Sequence, residues 1–459
     1  MGKRLRADMR KDKIDMLQGN IWTGLLAFTI PLMLTNILQL MFNAADMVVV
    51  GRFVGKESLA AVGSTTNIIF LMTNLFVGIS VGANVVTAQC IGEGDHDAVR
   101  NSIRTAVTLS LLGGCLLLMI GQAIARPLLE LLGSPADVID KSEIYLRVYF
   151  CGLPVMMLYN FSTAQLRAFG DTKRPMYYLT MSGIVNLILN VIFVVAFGMD
   201  TFGVGLATVI SQAISAILTL RRLNSTDPEY RMTARDLRMH GATLLRILKV
   251  GIPAGLQNIM FSIANLTIQS SINSFGSSVM AAATAASNVE NVTYLAMNAF
   301  QYANISFVGQ NYGAGNLPRI RKIMTASVTL AVLFGLVIGY ASIAAGPQIF
   351  RIYTKDPEVL AYAVRKLWII NSLYFLSGIQ DAFSGGIKGF GYSFIAMVNA
   401  LLGVCLARVI YIRTVFAAFP TFDVLFAVYP VSFFVTAVLQ CIGFVVIYRR
   451  LSREQVSAG

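Results

Sequence analysis

Apolar residues run along this chain in twelve long blocks separated by short polar stretches. The blocks cover 22–51, 59–92, 99–125, 137–167, 175–198, 203–221, 245–275, 278–312, 319–346, 358–387, 393–417 and 424–448. A helix crosses the hydrocarbon core of a bilayer with about 20 apolar residues. The pattern therefore predicts an all-α polytopic membrane protein with twelve transmembrane helices. Several blocks exceed that length, which predicts tilted or protruding helices. The Met and aromatic residues along them read as core and lipid contacts, not as a cofactor box.

The polar punctuation repeats. Pro31, Leu34, Asn36, Ile37 and Asn43 recur 222 residues later as Pro253, Leu256, Asn258, Ile259 and Asn265. Gln89, Gly92 and Gly94 recur at a spacing of 221 as Gln310, Gly313 and Gly315, followed by Arg100 and Arg321. Pro135 matches Pro357, and Ala168-Phe169-Gly170 matches Gly389-Phe390-Gly391. Six helices per copy is an even number, so both copies enter the bilayer in the same sense. The prediction is two parallel-repeat six-helix bundles, related by an axis along the membrane normal. The N-terminal lobe is expected over 1–221, a cytoplasmic linker over 222–244 and the C-terminal lobe over 245–459. Two such lobes fit alternating access around a central cavity. A channel would be expected to show a repeated filter or a ring of like charge, and neither is visible.

Composition supports the membrane reading. The chain of 459 residues is 56% hydrophobic and 13% charged, about half the charge of a soluble domain. The net charge of +13 is parcelled between the blocks rather than gathered on one face, so nucleic acid is not an expected partner. Of the 36 Lys and Arg residues, 25 lie in stretches that share a side with the termini and 10 on the other side, with Arg408 inside a block. Lys366 counts with the opposite side and Lys388 with the termini. The bias predicts both termini in the cytoplasm and an inner-membrane, multi-pass location. The basic start, without a small-residue cleavage site, is not expected to be a cleavable signal. Five scattered cysteines read as small buried hydrophobes. Two histidines, His96 and His240, give no basis for a metal centre or a Ser-His-Asp triad. No phosphate loop or nucleophile–base pair appears either, so an enzyme is not expected, and no cofactor is implied.

Setting aside charges assigned to the ends and loops, four ionisable residues read as clear cases within the spans: Asp46, Glu290, Asp381 and Arg408. Charges inside a membrane are functional candidates by default. Asp46 has Gln39 two helical turns before it and Asn43 at i−3, on one face. Asn160, Asn186, Asn190 and Thr208 also lie in apolar context in the first half. Asn186 and Asn190 form an i, i+4 pair that projects both amides from one side. One carboxylate with neutral oxygens suits a hard monovalent cation such as Na⁺. It equally suits a carboxyl that binds and releases H⁺. The plainer alternative for the amides is helix–helix adhesion. Asp46 aligns with Ile268 in the second half, so its carboxylate is not repeated. Arg408 falls opposite Asn190 when the fifth and eleventh blocks are aligned with a three-residue shift. An unpaired guanidinium is costly to bury, so an ion pair of Arg408 with Asp381 or Glu290 is expected, leaving one acid free.

These residues together resemble the multidrug and toxic compound extrusion (MATE) family. The resemblance is carried by Pro31…Gln39…Asn43-Ala44-Ala45-Asp46, by Gln89…Gly92…Gly94 and by Leu166-Arg167-Ala168-Phe169-Gly170-Asp171-Thr172-Lys173-Arg174-Pro175. Asn186…Asn190 and Gly203-Val204-Gly205-Leu206-Ala207-Thr208 extend it over nearly the whole chain. It is closer to the DinF-like and MepA-like bacterial branch than to the NorM branch, whose seventh-helix glutamate is replaced near Phe261. The resemblance implies twelve helices in a V of two lobes and antiport of organic compounds against Na⁺ or H⁺. It implies a coupling site at Asp46 with Gln39, Asn160, Asn186 and Thr208. That branch often carries a second aspartate where this chain has Asn190. The expected partners are small organic substrates and the lipid bilayer, with the protein a monomer. A flippase for a lipid-linked saccharide is the rival reading. It should place several cations in its cavity, and the blocks offer only Arg408.

Overall fold

The computed structural model describes residues 14–131, 134, 135 and 138–458. The basic start over residues 1–13 lies outside them. Every regular element among the described residues is helical. We number the α-helices α1 Ile21–Phe53, α2 Lys56–Glu93, α3 His96–Leu131, α4 Ile139–Cys151, α5 Leu153–Ala168, α6 Lys173–Asn190 and α7 Asp200–Asn224. The second half holds α8 Gly241–Asn273, α9 Ser277–Gly313, α10 Leu317–Tyr353, α11 Pro357–Asn371, α12 Phe375–Gly389, α13 Ser393–Ala400, α14 Ala407–Tyr411 and α15 Phe422–Ala458. A π-helical segment, Val191–Ala196, extends α6. Two more, Leu401–Leu406 and Ile412–Phe416, flank α14.

Among the described residues, nine helical segments are long and apolar enough to cross a membrane, and the number is eleven if each of the bent pairs α4–α5 (48°) and α11–α12 (44°) is one span. The twelfth expected span is α9. It has 37 residues, ample length, but Ser, Thr, Asn and Gln residues along it keep its hydropathy low. Six of those residues, Thr293, Gln301, Asn304, Ser306, Gln310 and Asn311, are buried from its middle onward, where α9 packs against protein, while Ser277, Thr284, Asn288 and Asn291 before them are exposed. Elsewhere large side chains such as Met119, Phe197 and Val337 are exposed, as lipid-facing residues are.

The repeat is visible in backbone geometry. Gly55, Gly94 and Gly170 have positive φ, and so do Gly276, Gly315 and Gly391, each 221 residues on. A side chain disfavours that conformation, and glycine does not. The same turns therefore interrupt both halves.

Contacts divide the chain into two compact units that are discontinuous in sequence. Among the described residues the first holds Ile14 and Leu34–Gly255, the second Asp15–Met33 and the residues from Leu256 on. The change falls inside α1 and α8, three residues after Pro31 and Pro253, which lie within those helices. Proline removes one intrahelical hydrogen bond and allows a bend there. A cut by chain order at 222–244 leaves α8 whole, whereas packing gives its first half, 241–255, to the first unit.

In the first unit α2 and α8 cross at glycines. A Cβ on Gly78 would lie 2.1 Å from Gly255 Cα, and one on Gly82 would lie 2.2 Å from Ile247 O. Gly78 and Gly82 face Gly251 and Gly255, so each helix presents two glycines four apart, which lets the backbones touch. At the end of α2, Gln89 accepts from Arg246 Nη2 at 3.2 Å. Below α5, Asp171 accepts from Arg222 Nε at 2.9 Å and from Arg174 Nη1 at 3.2 Å, tying the turn after α5 to the end of α7. In the second unit, Asn311 Nδ2 donates to Met16 O at 3.0 Å and Arg319 Nε to the same oxygen at 3.2 Å, anchoring the segment before α1.

The polar connector is also held. Arg104 Nη2 lies 2.8 Å from Asp236 Oδ1, and Asp236 Oδ2 accepts from Thr233 N at 3.0 Å and Oγ1 at 2.8 Å. Those Thr233 bonds hold the Asp236 carboxyl below the usual range. Burial pushes the Tyr230 phenol up to about 12.

Candidate functional site

In the first unit α1 and α6 approach closely at Gly183, where a Cβ would lie 2.1 Å from the Phe42 ring. One turn further along α1, Asp46 Oδ1 accepts from Asn190 Nδ2 at 2.6 Å. The same Nδ2 lies 3.3 Å from Asn186 Oδ1, as the i, i+4 spacing requires. Asn190 is fully buried and Asn186 is 5% exposed. Asn190 Oδ1 is buried without a hydrogen-bond partner among the described residues. Asn190 ends α6, and the π-helical segment begins at the next residue. π-helical turns are rare and recur at functional sites. An apolar cluster of Val50, Val62, Tyr145, Val194 and Val204 lies one turn beyond Asp46.

The other residues suggested by the sequence are placed differently. Gln39 and Asn43 share the α1 face of Asp46 but are exposed, and no hydrogen bond joins them to it among the described residues. Asn160 on α5 keeps its Nδ2 buried and unpartnered. Thr208 Oγ1 donates to Val204 O at 3.0 Å in its own helix. The structure thus brings Asp46, Asn186 and Asn190 together by direct bonds.

The second unit overturns the expected pairing of Arg408. Its Nη1 donates to Asn265 Oδ1 at 2.7 Å, its Nε donates to Ser432 Oγ at 3.1 Å, and its Cζ lies 4.8 Å from the Tyr429 ring centroid. All three partners are neutral. Glu290 is taken instead by Lys366, whose Nζ lies 3.2 Å from Glu290 Oε2. The ammonium also donates to Ser287 Oγ at 2.8 Å and Ala283 O at 3.0 Å and sits 5.4 Å from the Phe426 centroid. Lys366 is 1% exposed and Lys388 is 2% exposed, so neither is the surface loop charge the sequence reading made it. The phase of α11 carried the missed signal. Val359, Ala363, Leu367 and Ile370 form its buried face, and Lys366 lies on it, while its neighbour Arg365 points out to Asp423. Asp381 is buried on α12 with Oδ2 unpartnered among the described residues. Lys388, buried two turns along the same helix, forms no ion pair with it among the described residues.

All five cysteines are free, with Cys90 buried but Cys115 and Cys151 exposed. Among the described residues no group of His, Cys, Asp or Glu could hold a metal.

Two repeated helical units with ionisable side chains placed inside the spans describe a multi-pass membrane transporter. The MatE family model matches residues 31–192 and again 253–412, one copy in each half, with starts 222 residues apart. The chain belongs to the MATE family. It is 28% identical over 379 residues to the probable multidrug resistance protein YoeA of Bacillus subtilis, covering 81% of this chain and 82% of that one. It is 20% identical over 398 residues to the multidrug export protein MepA of Staphylococcus saprophyticus, covering 86% and 88%. Among solved structures, an outward-facing multidrug resistance MATE family transporter of the MOP superfamily superposes with a TM-score of 0.89 at 21% identity, over 96% of this chain and 99% of that one. The protein is a multidrug efflux transporter by family and not an enzyme.

Proposed function

We propose that the protein is a secondary antiporter. It exports amphipathic, often cationic organic compounds in exchange for Na⁺ or H⁺, and Asp46 is the coupling residue. The observation that carries this reading is the 2.6 Å bond between Asp46 and Asn190, with no cation among the partners of Asp46 in the described residues. A carboxylate held only by an amide keeps its charge free to be neutralised by an arriving ion. Neutralisation changes what Asn190 is bonded to, at a helix already carrying a π-helical segment, and so links ion binding to helix geometry. Substrate and ion then compete across the cycle through that difference. The multidrug resistance and multidrug export proteins among the relatives support the substrate class. The protein works as a monomer in the inner membrane with both termini cytoplasmic, in line with the Lys and Arg bias.

The test is dye efflux from proteoliposomes with Na⁺ and pH gradients imposed separately. Wild-type protein responds to one gradient. Asp46→Asn keeps dye binding and lowers gradient-driven efflux by about tenfold or more, since the coupling energy through Asp46 is lost. Efflux by Asp46→Asn at the wild-type rate removes Asp46 from the coupling role.

A further inference from the structure

We propose that Arg408 forms a recognition site for a carboxylate on the transported molecule, so that the substrates include amphiphiles bearing an acid group. Three observations carry this. The first is charge balance. The buried charges of the second unit are Glu290, Lys366, Asp381, Lys388 and Arg408. Glu290 is paired with Lys366 at 3.2 Å, and one remaining acid, Asp381, is set against two cations, Lys388 and Arg408, neither of which forms an ion pair with it among the described residues. Arg408 is left with a side-chain amide, a hydroxyl and a ring face. A guanidinium in a membrane interior without an anion is costly, and a ligand carboxylate relieves that cost.

The second observation is the internal repeat. In the first unit the bridge from α1 to the end of α6 is Asp46 to Asn190. In the second unit the bridge from α8 to α14 is Asn265 to Arg408, the same pair of helices in the other copy. Both bridges are anchored by an amide, at 2.6 Å and 2.7 Å, and both adjoin a π-helical segment. The charge changes both sign and helix: Asp46 sits on α1, whereas Arg408 sits on α14 and its amide partner Asn265 is the repeat of Asn43. A bridge that holds a carboxylate in the first unit thus holds a guanidinium suited to an anion in the second.

The third observation is how Arg408 is presented. Nε is fixed by the buried Ser432 and Nη1 by Asn265, which leaves Nη2 without a bond among the described residues. Asn265 is exposed, so the charge lies one side chain below the surface of its unit. The Tyr429 ring, 4.8 Å from the guanidinium carbon, suits the apolar body of an amphiphile, and the guanidinium suits its acid group, through short charge-assisted bonds.

The test compares rhodamine 110, which carries a free carboxylate, with its methyl ester, rhodamine 123. Binding to full-length purified protein is followed by fluorescence anisotropy. Wild type binds both dyes. Arg408→Gln weakens rhodamine 110 by about tenfold or more, the worth of a hydrogen bond between charged groups, and leaves rhodamine 123 within about twofold. Arg408→Lys, which keeps the positive charge, retains part of the preference for the acid. Because the ester controls for folding, equal loss of both dyes overturns the proposal. Unchanged affinity of Arg408→Gln for rhodamine 110, or no binding of rhodamine 110 to wild type, overturns it as well. Transport of the acid rests on the antiport reading above, but binding does not. Failure of gradient-driven rhodamine 123 efflux by wild type would count against antiport and leave the Arg408 result standing.

Discussion

Removing one partner of the Glu290–Lys366 pair should be far worse than removing both. The ammonium and carboxylate are 3.2 Å apart, with side chains 2% and 12% exposed. At an effective dielectric constant of about 20, two unit charges at that distance attract by about 5 kcal/mol. Desolvation of both ions opposes most of this, so the intact pair contributes little net stability. Breaking it strands a buried charge at a cost of about 3–5 kcal/mol. The two single variants should differ within that range. In Glu290→Gln the ammonium keeps Ser287 Oγ and Ala283 O at 2.8 and 3.0 Å, which places the cost near about 3 kcal/mol. In Lys366→Met the carboxylate loses its cation while Glu290 Oε1 already lacks a partner, which places the cost near about 5 kcal/mol. The double variant Glu290→Leu with Lys366→Met should lie within about 1 kcal/mol of wild type, because no buried charge remains. The assay is equilibrium unfolding in mixed micelles, with the loss in each variant read against wild type. Additive losses in the double variant, or single variants within about 0.5 kcal/mol of wild type, would refute the reasoning.

Two further outcomes follow from packing and from the connector. Gly78→Ala puts a methyl group 2.1 Å from Gly255 Cα; the obstacle is backbone, so the helices must separate, and a loss of about 1–3 kcal/mol or more is expected, seen in the same unfolding assay. Asp236 has a lowered pKa through its Thr233 bonds. It therefore stabilises the connector above the unfolded aspartate range, about pH 4, and that support is lost as pH falls through the still lower folded value. The protection of the Thr233 amide, taken relative to its intrinsic exchange rate at each pH, should be high at pH 6 and fall only in strong acid, and Asp236→Ala should show the low protection at both.

What the sequence determined by itself was governed by local, periodic physics. Hydropathy announces spans because backbone groups in lipid must bond within their own helix. The 221–222 spacing survived as paired left-handed glycines, since a turn that needs positive φ needs it in both copies. The Asp46–Asn186–Asn190 group was legible for the same reason: one carboxylate in an apolar block, and two amides at helical spacing. The twelfth span was legible by length more than by composition, because α9 carries Ser, Thr, Asn and Gln residues, six of them buried against protein from its middle onward. The tertiary structure alone decided how the charges pair. Sequence distance does not say that Lys366 reaches Glu290 across two helices, that Arg408 meets Asn265 and Ser432, or that Gln39 and Asn43 stay exposed beside Asp46. It also does not say that α1 and α8 change unit after Pro31 and Pro253. Those outcomes depend on helix rotation and close approach, set by glycines such as Gly78 and Gly183 whose partners lie far away in the chain.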